Sequence, residues 1–258
     1  MSSDKTIVLI HGLSEERSAW KRQIAFLSDH MNVVAYDVRG FGSSPVGAGN
    51  GTVHQMADDL AQIVSAQDGS NGGTGSVYLC GFSMGGVISQ RFALDFPDLC
   101  SGLILIASSC VVGHPGAEFF TQRLSDVEAG GLDTLNATNT SDARGCFAPD
   151  KESNEPLIAE YQKLRTEAVR DVNGYLNAGR AMLRLNTEPM IQDLGAIQHP
   201  TLVIAGELDP FCPPRASEMI TDGIPSAEMC VIPAVGHCLH WEEPDVTNNL
   251  IKEFVDTH

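Results

Sequence analysis

No stretch of this 258-residue sequence approaches the roughly 20 consecutive apolar residues that a bilayer-spanning helix needs. That excludes an α-helical membrane protein. The segment Met1-Ser2-Ser3-Asp4-Lys5-Thr6 holds no apolar stretch able to act as a signal peptide, so a cytoplasmic location is expected. Basic residues are scarce, 16 against 33 acidic ones, for a formal net charge of −17. Such a field repels a nucleic-acid duplex or an anionic bilayer, so neither is an expected partner. The acidity reads as a solvated surface, with a salt-rich habitat as the other reading. The seven cysteines (80, 100, 110, 146, 212, 230 and 238) form no C-x-x-C pair and no zinc spacing, which predicts reduced, mostly buried thiols. His237-Cys238-Leu239-His240 gathers metal-ligand types but has no partner cluster elsewhere, so no metal is expected. The glycine-rich segments match neither a Walker nor a dinucleotide fingerprint, so no nucleotide is expected. Internal repeats are absent.

What is present is an alternation of apolar strands and amphipathic helices. Residues 6–10, 32–36, 76–80, 102–107, 201–205 and 229–232 are short, continuously apolar runs. Strands apolar on both faces predict a parallel sheet of about six strands covered by helices on each side. Helices are expected from Ser14 as N-cap to about residue 29, over 52–67, 87–96, 214–220 and 245–255. Residues 68–75 read as a Gly/Ser/Asn loop. After a break at Gly113-His114-Pro115-Gly116, the chain shows no strand until 201, and apolar residues recur at helical spacing from Leu157 to Leu183. This predicts a helical insertion, 113–197, dividing a core made of 1–112 and 198–258.

The chain is organised around Gly81-Phe82-Ser83-Met84-Gly85, a G-x-S-x-G pentapeptide between an expected strand and an expected helix. The pentapeptide alone is a weak signal, and the flanking elements make it specific. A serine hydroxyl near neutral pH needs a base, and the base needs an orienting acid. Asp209 follows the strand at 201–205 and His237 follows the strand at 229–232, so chain order is Ser83, Asp209, His237. His240 is the competing base and Glu207 the substitute acid. An acyl-transfer site also needs oxyanion donors. The backbone N–H of Met84, just after the nucleophile, and of Leu13, just after His11-Gly12, are the candidates.

Taken together, His11-Gly12, Tyr36-Asp37-x-Arg39-Gly40-Phe41-Gly42-Ser43-Ser44, Gly81 to Gly86, Gly206-x-x-Asp209 and Gly236-His237 resemble the α/β-hydrolase superfamily over nearly the whole chain. Cys146-Phe147-Ala148-Pro149 and the stretch from Gly174-Tyr175 through Asp193-Leu194-Gly195-Ala196-Ile197, then Pro200 to Gly206, resemble the carboxylesterases and lactonases of the 3-oxoadipate enol-lactonase type. The resemblance implies a helical cap on an α/β-hydrolase core, no cofactor, and a small ester or lactone substrate. Other chemistries of the fold remain open: carbon–carbon bond hydrolysis or synthesis, or a receptor that keeps the triad without turnover. Members usually begin with an antiparallel hairpin before the His-Gly strand, and only about five residues precede that strand here, so the sheet is expected to lack the hairpin. That leaves 32–36 as an edge strand, with either a monomer or a homodimer expected. Candidate substrate contacts are His11, Gly12, Phe82, Phe147, Tyr161 and Trp241. The alternatives are that His11 braces its loop, Phe82 packs beneath the elbow and the cap aromatics are core. Arg144, Arg165 and Arg180 are candidates to meet a substrate carboxylate, or else surface residues.

Overall fold

The computed structural model describes residues 5–70, 76–151 and 154–258. Six parallel strands form one sheet in the order β2-β1-β3-β4-β5-β6. They are β1 (Thr6–Ile10), β2 (Asn32–Tyr36), β3 (Val77–Phe82), β4 (Gly102–Ile106), β5 (Thr201–Gly206) and β6 (Ala227–Ile232). Burial follows position in the sheet. Every residue of β1, β3, β4 and β5 is buried, whereas all five residues of β2 are half-buried and β6 is partly exposed, because those two strands are the edges. Edge placement of β2 agrees with the expectation for 32–36.

Alternation along each strand splits the core in two. Val8 and Ile10 face one side, packed with Met56, Leu60 and Val64 of α2 (Val53–Ser70) and Val87 and Phe92 of α3 (Met84–Asp95). Ile7 and Leu9 face the other, with Trp20, Leu27, Ile251 and Phe254. Leu27 lies on α1 (Lys21–Leu27). Between β4 and β5 run α4 (His114–Gly145), α5 (Glu155–Ala168) and α6 (Val172–Arg184). The chain closes with α7 (Pro214–Gly223), α8 (Leu239–Glu242) and α9 (Pro244–Thr257). Among the described residues, no helix is long and apolar enough to cross a membrane.

Three expected elements differ. Ser14 does not cap a helix. It sits at a φ of 62°, and a 3-10 turn over Arg17–Trp20 precedes α1. The reason is Glu15, whose buried carboxylate accepts the Gly12 N–H at 2.9 Å and pulls the chain into a tight turn first. The expected break at 113–116 is instead the start of α4. Pro115 lies in the first helical turn, where its missing N–H costs nothing. The expected loop at 68–75 is helical to Ser70, and its remainder lies outside the described residues. Within α4, Gly131 adopts φ 64° and ψ −151°, which kinks the helix.

The sharp turn after β3 depends on Gly85. A Cβ there would lie 2.1 Å from the Ile10 carbonyl oxygen, which is rigid backbone of β1. Gly85→Ala is therefore expected to cost about 3 kcal/mol, at the upper end of overpacking. Thermal melts of the two variants check this: Gly85→Ala should melt well below wild type, whereas Gly145→Ala, with no atom within 4 Å of its added Cβ, should be neutral or slightly stabilising.

Candidate active site

In a parallel sheet all C-terminal strand ends lie on one edge, where sites of open α/β folds form. β1 delivers His11-Gly12-Leu13 to that edge, β3 delivers Ser83, β5 delivers Asp209 and β6 delivers His237. Ser83 sits at φ 51°, ψ −113°, a strained backbone for a non-glycine residue that typically costs ~1–3 kcal/mol. Surrounding bonds hold it there. Its N–H donates to the Ile106 carbonyl at 2.8 Å, and its own carbonyl accepts from Gly86 N–H at 3.0 Å and the Ser108 hydroxyl at 2.9 Å. The turn projects the hydroxyl from the end of the strand and leaves Ser83 half-buried among buried neighbours.

His237 Nε2 lies 3.1 Å from Ser83 Oγ, and His237 Nδ1 lies 2.7 Å from Asp209 Oδ2. Nδ1–H therefore donates to the carboxylate, which leaves Nε2 free to accept the serine proton. The second Asp209 oxygen accepts the N–H groups of Phe211 at 2.8 Å and Cys212 at 2.9 Å. Asp209 is thus both a turn residue and the partner of the imidazole. Gly206 lets the two loops meet, since a Cβ there would lie 2.2 Å from the Gly236 carbonyl oxygen. Burial pulls the His237 pKa down, but the Asp209 charge and hydrogen bond, helped by Cys146 and Glu15, carry it above the ordinary histidine value.

The competitors for these roles are elsewhere. His240 is fully buried, stacked between Trp20 (4.9 Å) and Phe82 (4.4 Å), and burial lowers its pKa to about 3. Glu207 is exposed, and its carboxylate accepts the Ala234 N–H at 2.9 Å. Met84 follows the serine at the start of α3, and Leu13 follows Gly12, which lies against the ring of Phe82, the residue before the serine. Met84 opens the 12-residue α3, so its amide also carries the positive end of the helix dipole.

The six candidate substrate contacts are packed into protein. His11 is fully buried, donates from Nδ1 to the Gly12 carbonyl (2.8 Å) and accepts the Val38 N–H on Nε2 (2.9 Å). Burial lowers its pKa to about 4, so it stays neutral and braces the loop. Gly12 lies against the Phe82 ring, which in turn packs on His237 at 4.9 Å. Phe147, Tyr161 and Trp241 form an edge-to-face stack with centroids 5.4 and 5.0 Å apart, each at most 3% exposed. The Tyr161 hydroxyl donates to Glu15 at 2.7 Å. Of the three arginines, Arg144 pairs with Glu155 and Arg180 with Glu128 on the surface, whereas Arg165 is buried.

Two site-supporting residues carry no sequence signal. Glu242 accepts the N–H of Gly236 at 2.8 Å and of Ala148 at 3.1 Å, holding the loop that bears His237. Glu15 is indistinguishable in sequence from its neighbour Glu16, whose carboxylate accepts from the nearby Ser18 hydroxyl. A cavity of about 720 Å³ lies on the surface between the 40–49 loop and the start of α6, and none of Ser83, Asp209 and His237 lines it.

A six-stranded parallel sheet with a serine elbow, and an acid and a base on later strand ends, defines an α/β-hydrolase architecture. The chain belongs to the α/β-hydrolase fold family, whose model matches residues 5–244. Among its relatives is 3-oxoadipate enol-lactonase 2 of Acinetobacter baylyi, 26% identical over 95% of this chain and 86% of that protein. Another is RutD of Agrobacterium fabrum, a carbamate hydrolase by provisional assignment, 29% identical over 97% of this chain and 92% of that one. Among solved structures, a thermophilic esterase from Thermogutta terrifontis superposes with a TM-score of 0.86 at 29% identity, covering 100% of this chain and 91% of that one.

Proposed function

We propose that this protein is a serine hydrolase that cleaves a carboxylic ester or lactone of a small substrate through an acyl-enzyme. The observation that carries the reading is the unbroken hydrogen-bond chain from Ser83 Oγ through His237 to Asp209. Ser83 Oγ attacks the carbonyl carbon while His237 Nε2 takes its proton, and Asp209 stabilises the resulting imidazolium. The oxyanion is held by the N–H groups of Leu13 and Met84. His237 then returns its proton to the leaving alkoxide, which breaks the ester bond and leaves an acyl group on Ser83. Water attacks the acyl carbon, with His237 as base again, and Ser83 is regenerated. Residues 113–197 act in this reading as a cap that shapes the acyl and alcohol pockets over a core of 1–112 and 198–258.

The names of the esterase and enol-lactonase relatives support an ester or lactone carbonyl. A carbamate carbonyl would be attacked by the same atoms in the same order. The test is intact-mass labelling with a fluorophosphonate, in which the Ser83 Oγ–P bond forms as P–F breaks and the proton leaves through His237. One adduct is expected on wild type and on His240→Leu, and none on Ser83→Ala or His237→Ala. No adduct on folded wild type would overturn the reading. An adduct lost in His240→Leu but retained in His237→Ala would reassign the base.

A further inference from the structure

An oxyanion donor works only if its direction is held, and Leu13 lies in a loop with no helix or strand to hold it. The peptide group that carries the Leu13 N–H also carries the Gly12 carbonyl, and in a trans peptide the two point in opposite directions. The Gly12 oxygen is tied inward twice, by His11 Nδ1 at 2.8 Å and by the Glu15 N–H at 3.3 Å. Those bonds turn the Leu13 N–H the other way. Glu15 closes the same turn with its side chain, since Oε2 accepts the Gly12 N–H at 2.9 Å.

The turn is in turn held from α5. Tyr161 donates its hydroxyl to the other Glu15 oxygen at 2.7 Å. Arg165, one helical turn later, donates from Nη1 to the Leu13 carbonyl and to the Tyr161 hydroxyl, each at 3.4 Å. Its Nη2 reaches Asn139 Oδ1 of α4 at 3.3 Å, and Asn139 Nδ2 returns a bond to the Arg165 carbonyl at 3.2 Å. Both peptide groups flanking Leu13 are therefore fixed, one through Gly12 and Glu15 and the other through Arg165. Glu15, Asn139 and Tyr161 are at most 1% exposed and Arg165 is 9% exposed. Burial pushes the Glu15 carboxyl above its ordinary range, with the Tyr161 and Gly12 bonds and the Arg165 charge opposing. An apolar filling of similar volume is often as stable as a buried charged group. What an apolar filling does not supply is direction.

We propose that Glu15, Tyr161 and Arg165 are positioning residues that set the Leu13 oxyanion donor by fastening its loop to helix α5. The inference rests on the serine-hydrolase reading, in which Leu13 N–H meets the oxyanion. It is tested by the second-order rate of fluorophosphonate labelling, together with kcat and KM on p-nitrophenyl acetate, for wild type, Tyr161→Phe, Arg165→Met, Glu15→Ala and Glu15→Gln. Tyr161→Phe, Arg165→Met and Glu15→Ala are expected to slow labelling and kcat by about 10–100-fold, because small misplacements of catalytic groups have effects of that size. KM should move less than about threefold, since the donor acts in the transition state. Glu15→Gln keeps an acceptor for the Gly12 N–H and should recover most of the rate. Folded Tyr161→Phe reacting as wild type would overturn the inference and leave the hydrolase reading intact. So would a rise in KM at constant kcat, which would make these residues substrate contacts. Absence of labelling in wild type would remove both. Tyr161→Phe removes a single oxygen, so it decides the question should Arg165→Met fail to fold.

Discussion

Ser83→Ala is expected to lower kcat for an activated ester by about 10⁴-fold or more, with the melting temperature little changed. The size follows from what the hydroxyl does. In the proposed reaction it is the group that bonds to substrate carbon, and among the described residues its side-chain hydrogen bond is the 3.1 Å contact with His237. The backbone bonds that hold the strained turn all use the Ser83 N–H and carbonyl, which alanine keeps. Activity and stability are thus separable at this position. A variant that retained a tenth of wild-type turnover would show that another group is the nucleophile. A variant that lost both turnover and its melting transition would show that the hydroxyl holds the elbow.

The second large effect is expected at Asp209, where Asp209→Asn should lower kcat at neutral pH by about 10³–10⁴-fold. The two Asp209 oxygens have different tasks. One accepts the backbone N–H groups of Phe211 and Cys212, the other accepts His237 Nδ1–H. Asparagine has a single oxygen, and the two amides demand it. Its NH₂ then faces Nδ1, which becomes an acceptor, and the ring proton moves to Nε2, where it blocks proton transfer from Ser83. The pH profile separates this cause from simple loss of basicity. In wild type kcat/KM is expected to rise with pH as His237 loses its proton, with a midpoint above the ordinary histidine value of about 6.5. Without the carboxylate charge, burial is less opposed and the midpoint falls. Below neutrality the variant then holds more neutral imidazole than wild type, yet it is slower. A variant whose midpoint stayed at the wild-type pH would contradict this account.

The same pair makes a signed contribution to stability. Because the folded pKa of His237 is raised, its contribution is fully present below the unfolded pKa of about 6.5 and is lost as pH rises through the folded value. Asp209→Asn should therefore cost more stability at pH 5 than at pH 9.

Much of this organisation was legible in the chain itself. Continuously apolar runs such as Gly102 to Ile106 have no polar face, so they must lie in the interior of a sheet covered on both sides. Glycine at 81 and 85 is demanded by backbone that would collide with any Cβ, and that demand survives in sequence as G-x-S-x-G. The choice between neighbours was not legible. His237 and His240 are three residues apart and Glu207 and Asp209 two, and only loop packing sends one imidazole to Ser83 and the other to Trp20. Glu15 and Glu16 are chemically identical, and the difference arises because one turns inward to a tyrosine 146 positions away. Local pattern determines which segments are strands, helices and sharp turns, because those depend on side chains a few residues apart. Which charged or aromatic side chain joins the site depends on contacts between α5, the β1 loop and the β6 loop, and those exist only once the sheet has brought their ends together.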